Sequence, residues 1–452
     1  MRNRVFPQNG ISSKLRLFIS HYLGIFLIVA CSGTTKDVWS LSPAEQKVLR
    51  EVDEVLSSDP CQSTSREACR AVTVSFDRPI APEPDDDVIL VIDEGLTLAT
   101  LALHQHRVLN HYRLADSPNY FVPYQPQVEI PTGMHQIFHH VFKGYEPLAS
   151  SKAAMALGRR FEAKYRNTFG GSSVQGHGAP IFNLLAELNP YAKFVIVHNE
   201  PRFSSWNICD ITTPGGAKRN HDHWKEKAEA LVKIATQYHI KWVNYSAGWD
   251  RNRAKHSWQV SQCDGPVPSD EVWDQFVRDT NVIAESFSQV PGLLFVQAGA
   301  DPSDTDSQDV EKFYGADCVT LPQRLRVGFL NLDSSRLSPS QERDGQLLSL
   351  GQRLAAPCTD LFVRDGLIES FLPSKEPIYF TATGFSHAPL NISGTSYATP
   401  VGLSFAAYLM KDHGMGPKEV VRWIRGEFNE PLLVAPFAER KFLNRSDRYL
   451  NF

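Results

Sequence analysis

The chain has 452 residues, enough to bury one large core or a core with a small appendage. Hydrophobic residues make up 42% and charged residues 21%, the balance of a soluble globular enzyme, and 28 Gly and 29 Pro are spread out rather than gathered into low-complexity segments. Lys and Arg (46) nearly offset Asp and Glu (50), giving a formal net charge of −4; with no long basic run, nucleic-acid binding has no electrostatic basis.

Arg2, Arg4, Lys14 and Arg16 precede an apolar stretch at 17–30 that is too short, and too interrupted by Ser20 and His21, to span a bilayer comfortably. It reads as a secretory signal peptide. Its end, Ile28-Val29-Ala30-Cys31, resembles the lipobox of bacterial lipoproteins. That resemblance implies a lipid on Cys31 as the first mature residue and a membrane anchor at the cell envelope. Ser32, where inner-membrane retention would have Asp, points to the outer membrane. The expected organisation is a signal peptide at 1–30, a lead-in and linker at 31–84, and one domain at 85–452 with an insertion at about 104–170. The six other cysteines, Cys61, Cys69, Cys209, Cys263, Cys318 and Cys358, are an even set in an exported chain, compatible with three disulfides. Sequence leaves their pairing open, although Cys61 and Cys69 are close enough to staple a local loop.

In chain order, Ser42-Pro43 starts an amphipathic helix that runs to about Leu56, and Pro79, Pro82 and Pro84 mark a linker. Residues 88–92 (VILVI) are continuously apolar and mostly β-branched, the pattern of a central parallel strand buried on both faces. Asp93 ends that strand, where open α/β sheets place their sites. The insertion carries His104, His106, His111, His135, His139 and His140, and a helix is expected at 151–166. His135 and His139 share a helix face as in the zinc-protease pattern H-E-x-x-H, but Gln136 stands where the glutamate base would be, so no metal is assigned. Glycines flank His177, and Ile181, Leu184, Leu185 and Leu188 then recur at helical spacing, followed by a strand at 192–197. A helix at 223–239 runs into a strand at 240–245, then Ser246-Ala247-Gly248; a helix at 270–288 leads to a strand that starts at Leu293. Strands at 325–330 and 378–383 follow, and Gly394 frees the backbone for a turn just before Ser396, where an apolar helix begins; a last helix is expected at 417–428. Read alone, Ser396 could simply cap that helix.

Taken together the motifs point further. Gly394-Thr395-Ser396-Tyr397-Ala398-Thr399-Pro400 resembles the nucleophile segment G-T-S-x-A-x-P of the subtilisin-like serine proteases (subtilases). Residues 91–95 (VIDEG) are similar to the family's D-[ST]-G aspartate motif, with Glu94 for the hydroxyl residue. Gly176-His177-Gly178-Ala179 is similar to its H-G-T motif, with Ala179 for threonine, and Asn244 to Gly248 resembles I-N-x-S-L-G, with Ala247 for leucine. Ala355-Ala356-Pro357-Cys358 is like the A-P-G segment. The likeness covers roughly 85–428 and keeps the family order Asp, His, Ser.

It implies an α/β domain with a largely parallel central sheet and helices on both faces. It further implies that Ser396 is the nucleophile, His177 the general base and Asp93 its orienting acid, and that Asn244, Ser246, Ala247 and Gly248 bind a protein or peptide substrate as an added strand. No cofactor is implied, and the residues give no indication of calcium. One departure is serious. Where the family has A-A-G-N, its Asn donating to the oxyanion, this chain has Ala298-Gly299-Ala300 with Asp301 next. Loss of such a donor costs on the order of 10²–10³ in turnover. Two rivals therefore stand beside an active protease: a catalytically impaired pseudoprotease that keeps a peptide groove, and an envelope interaction protein on the same fold.

Overall fold

The computed structural model describes residues 43–61, 69–75, 81–96, 105–115, 120–137, 160, 164, 177–189, 192–199, 208–249, 251–299, 320–330, 359–364, 379–381, 384–386, 395–426 and 432–434. The expected signal peptide, Cys31, Ala300, Asp301, Cys318, Cys358, His139 and most of the helix expected at 151–166 lie outside these residues.

Everything is arranged around β2 (Val88–Asp93), whose six residues are all buried. Successive strand side chains face opposite ways, and here the alternation sorts them into two cores. Ile89 and Val91 join one cluster, whereas Val88, Leu90 and Ile92 join another. A strand with apolar neighbours above and below has no polar face to show, which is why its sequence is an unbroken apolar run. Each fully buried aliphatic side chain of this kind contributes about 1.5–3 kcal/mol.

Among the described residues the main sheet has nine strands. From one edge they are β13 (Leu432–Val434), β10 (Leu361–Arg364), β9 (Arg324–Leu330), β8 (Leu294–Ala298), β7 (Trp242–Tyr245), β2, β6 (Lys193–His198), β3 (Val108–Leu114) and β4 (Phe121–Tyr124). Every neighbouring pair is parallel except β3 and β4, which are antiparallel. Two small antiparallel sheets accompany it: β1 (Ala71–Ser75) with β5 (Gln127–Pro131), and β11 (Tyr379–Thr381) with β12 (Gly384–Ser386).

Helices cover both faces. On the first pack α1 (Pro43–Ser58), α2 (Thr132–Gln136), α3 (Gly178–Leu188), α7 (Thr395–Asp412) and α8 (Pro417–Gly426), through residues such as Val52, Met134, Phe182, Val401 and Val421. On the second pack α4 (Pro214–Gln237) and α6 (Asp270–Phe287), through Ala228, Leu231, Ile283 and Phe287. This is the three-layer α/β arrangement that the sequence predicts. None of the described helices is long and apolar enough to cross a membrane.

Several elements depart from expectation. Helix α4 begins at Pro214, well before 223, because the Thr213 side chain accepts the Gly216 N–H at 2.9 Å and Pro214 occupies the first turn. The lead-in helix α1 buries Leu49, Val52 and Leu56 in the first-face core, and a Cys61–Cys69 disulfide follows it. Part of the stretch read as an insertion extends the main sheet as β3 and β4. Asn110 and His111 interrupt the apolar pattern of β3, yet both are buried, so the periodicity hides the strand.

Helix α5 (Arg251–Val260) was also missed, since it buries little besides Ala254 and Trp258. These two residues join Ile208, Ile211, Trp273, Phe276 and Val277 in a satellite core, and the Cys209–Cys263 disulfide ties its ends together.

Candidate active site

The parallel strands β2, β6 and β7 end at Asp93, His198 and Tyr245, and the crevice beyond such ends is where an α/β sheet presents chemistry. Asp93 is 5% exposed. Its Oδ1 accepts the Glu94 N–H at 2.8 Å and lies 2.6 Å from His177 Nδ1. Asp93 Oδ2 is buried and makes no hydrogen bond among the described residues.

His177 immediately precedes α3, with φ −58° and ψ −40°. The helix is pinned below it by the buried Ile181, Phe182 and Leu185. At its first residue the Gly178 N–H donates to the Glu94 carbonyl at 2.7 Å. That approach needs glycine: a Cβ there would stand 2.8 Å from both Glu94 O and Leu96 Cγ, and 3.0 Å from Asp93 Cβ. The missing side chain is what lets the loop after β2 and the start of α3 touch, and so brings carboxylate and imidazole together.

Burial pushes the Asp93 carboxyl up, outweighing the downward pull of its hydrogen bond to His177. Burial alone would pull His177 down, but its hydrogen bond to Asp93 and the charges of Asp93 and Glu94 outweigh that and hold it above the usual imidazole value. With Nδ1 facing the carboxylate, Nε2 is the nitrogen placed to exchange a proton with a substrate or nucleophile.

Ser396 is the second residue of α7, half-buried in the first helical turn, where backbone N–H groups lack helical partners and the helix dipole is positive. Its hydroxyl donates to the Ser246 carbonyl at 3.0 Å rather than to His177. The next residue meets His177: the Tyr397 and His177 ring centroids are 5.7 Å apart, tilted by 48°. Helix α7 sits close to the sheet because Gly402 lies against Val327, where a Cβ would come within 2.6 Å of Val327 Cγ2.

The segment after β7 runs beside Ser396. Asn244 is fully buried, and its Nδ2 donates to Ser246 Oγ at 2.9 Å. The Ala247 carbonyl accepts from Gln297 Nε2 at 3.3 Å, and the Gly248 carbonyl from Arg253 Nη1 at 3.1 Å. Asp93, His177, Ser396, Ser246 and Tyr397 thus form one connected cluster.

Sequence reasoning missed three features nearby. His198 ends β6 in register with Asp93, and its Nε2 lies 3.2 Å from Nδ1 of His111 on β3. Burial holds His111 at about 3 and His198 at about 4. Lys227 on α4 is 5% exposed, with its ammonium 5.0 Å from the Trp224 ring centroid; burial pulls it down to about 8 against the opposing charge of Glu94. Arg253, on α5, is exposed beside Trp249. Only His198 left a trace in sequence, as a polar residue closing an apolar strand just as Asp93 does.

Among the described residues, no group of three or more His, Cys, Asp or Glu could hold a metal ion. His135 lies half-buried in α2.

No family model and no curated relative matches this sequence. One solved structure that matches in shape is a Pseudomonas sedolisin (serine-carboxyl proteinase) complexed with two molecules of pseudo-iodotyrostatin. It is 13% identical over 78% of this chain and 83% of that chain, with a TM-score of 0.30, too loose a likeness to carry any argument about the site.

Proposed function

We propose that this chain is a subtilisin-like serine endopeptidase. It hydrolyses peptide bonds through an Asp93–His177–Ser396 triad and an acyl-enzyme, and it is anchored at the bacterial cell envelope through a lipid on Cys31. The observation that carries the reading is the 2.6 Å contact between His177 Nδ1 and buried Asp93 beside the helix start that bears Ser396.

In the reaction the Ser396 hydroxyl turns from the Ser246 carbonyl to His177 Nε2, which takes its proton as the oxygen attacks the scissile carbonyl. Asp93 holds the imidazole tautomer and stabilises the imidazolium. His177 then gives the proton to the leaving amine, and water repeats the sequence to release the acid. The Ser396 backbone N–H, at the positive end of α7, is one oxyanion donor. At the second donor position Ala300 offers no side-chain donor, and this departure keeps an impaired, peptide-binding pseudoprotease as the second reading.

A fluorophosphonate probe decides between them. The peptidase reading expects the wild type to be labelled and Ser396→Ala not, with peptide hydrolysis falling on the order of 10⁶-fold in the variant. Labelling of neither protein, with peptide binding intact, would establish the second reading. For the anchor, labelled fatty acid should enter the wild type and not Cys31→Ala, which should appear in the soluble fraction.

A further inference from the structure

We propose that the segment receiving the substrate main chain is closed on itself in the resting enzyme, that Arg253 closes it, and that an extended peptide arms Ser396 by opening it. The inference rests on the peptidase reading above.

An incoming strand pairs by donating its N–H groups to carbonyls on the edge it joins. Along an extended run, carbonyls two residues apart face the same edge. Ser246 and Gly248 are two residues apart just past the end of β7, and each of their carbonyls already has a donor: Ser396 Oγ at 3.0 Å and Arg253 Nη1 at 3.1 Å. The carbonyl between them, on Ala247, takes Gln297 Nε2 of β8 at 3.3 Å. A substrate N–H must therefore compete with a side chain already held at each of the Ser246 and Gly248 carbonyls.

Both side chains can leave without moving the fold. Arg253 is exposed on α5 with its guanidinium 5.4 Å from the Trp249 ring centroid. Helix α5 itself stays fixed through Ala254 and Trp258 and the neighbouring Cys209–Cys263 disulfide. Ser396 needs only a rotation about its Cα–Cβ bond.

The two displacements have different consequences. Releasing Arg253 costs binding energy and acts on substrate affinity, so Arg253 is a positioning residue; its charge also pulls His177 down, so the variants are compared on the pH plateau where His177 is neutral. When a substrate N–H takes the Ser246 carbonyl, the Ser396 hydroxyl loses its acceptor beside His177, whose Nε2 can receive its proton. Pairing and activation then become one event, and the enzyme selects unfolded, extended segments with free main-chain N–H groups.

The test compares wild type, Arg253→Met and Arg253→Lys on an extended chromogenic tetrapeptide, with thermal unfolding as a check on the fold. On the pH plateau where His177 is neutral, loss of the Gly248 contact should lower KM three- to tenfold in Arg253→Met with kcat changed less than twofold. Arg253→Lys should lie between the two. An unchanged or raised KM in a folded Arg253→Met protein overturns the inference, and Arg253→Ala serves if methionine disturbs the Trp249 contact. Fluorophosphonate labelling of the wild type separates the two levels: labelling with an unchanged KM sinks the closure alone. If the wild type does not label, polarisation titration with a non-cleavable fluorescent peptide reads the same contact. Tighter binding to Arg253→Met would still support closure, and equal binding would end it.

Discussion

His177 Nδ1 lies 2.6 Å from Asp93 Oδ1, although the two residues are 84 positions apart in sequence. The contact sets both the tautomer and the basicity of the imidazole. On the peptidase reading His177 must be neutral to take a proton from Ser396, so kcat/KM should rise with pH through a value above the ordinary imidazole value of about 6.5. In Asp93→Asn the hydrogen-bonded charge is gone, leaving burial and the Arg253 charge opposed by Glu94 alone. The acid limb should then move to lower pH, while kcat falls on the order of 10⁴-fold. A pH–rate profile with an unmoved acid limb would contradict this coupling.

Gly178 should tolerate no side chain. A methyl group would meet Glu94 O and Leu96 Cγ at 2.8 Å and would drive α3, with His177 at its head, away from Asp93. Overpacking of this kind costs about 1–3 kcal/mol, and a catalytic misplacement of about 1 Å can cost on the order of 10² in rate. Gly178→Ala is thus expected to lose both melting temperature and turnover. Wild-type kcat in that variant would show that the close approach does not position the base.

The His111–His198 pair should make the fold acid-labile. Burial holds these imidazoles at about 3 and about 4, whereas unfolded imidazoles protonate near 6.5. Between about pH 6.5 and 4 the unfolded chain therefore binds protons that the native chain does not. Stability falls with pH across that window, by up to about 1.4 kcal/mol per unit for each histidine. Urea unfolding at several pH values should show a shallower loss in His111→Gln/His198→Gln than in the wild type. Parallel curves would remove the pair as the cause.

Lys227 carries a penalty that methionine would relieve. Burial lowers its ammonium to about 8 from an unfolded value near 10.5, so the native state releases its proton first as pH rises. The penalty is full below about pH 8 and fades towards pH 10.5. Lys227→Met should thus be more stable at pH 7 by roughly 1–3 kcal/mol, after loss of the Trp224 contact. The gap should narrow from pH 8 to 10. Destabilisation at pH 7 would show that the ammonium is satisfied where it lies.

What could be read from the sequence was local. The unbroken apolar run at 88–92 fixed β2 as a two-sided central strand, and 3.6-residue spacing fixed the buried face of α3. The helix starts at Gly178 and Thr395, beside His177 and Ser396, were legible in the same way, while Gly176 and Gly394 lie outside the described residues. These signals survive because each is a property of one short segment: its period, its breakers, the conformations its residues allow. Strand β3 escaped because Asn110 and His111 are polar yet buried, Asn110 donating to Tyr238 and His111 Nδ1 meeting His198 on other elements. Helix α5 escaped because its support comes from Trp273 and Phe276, not from its own pattern. Tertiary structure alone decided the strand order, the meeting of Asp93 with His177, and the turn of the Ser396 hydroxyl towards Ser246, 150 residues away. Periodicity states which side of an element is apolar. It carries no information about which distant element will cover that side, because the choice depends on the packing of all of them at once.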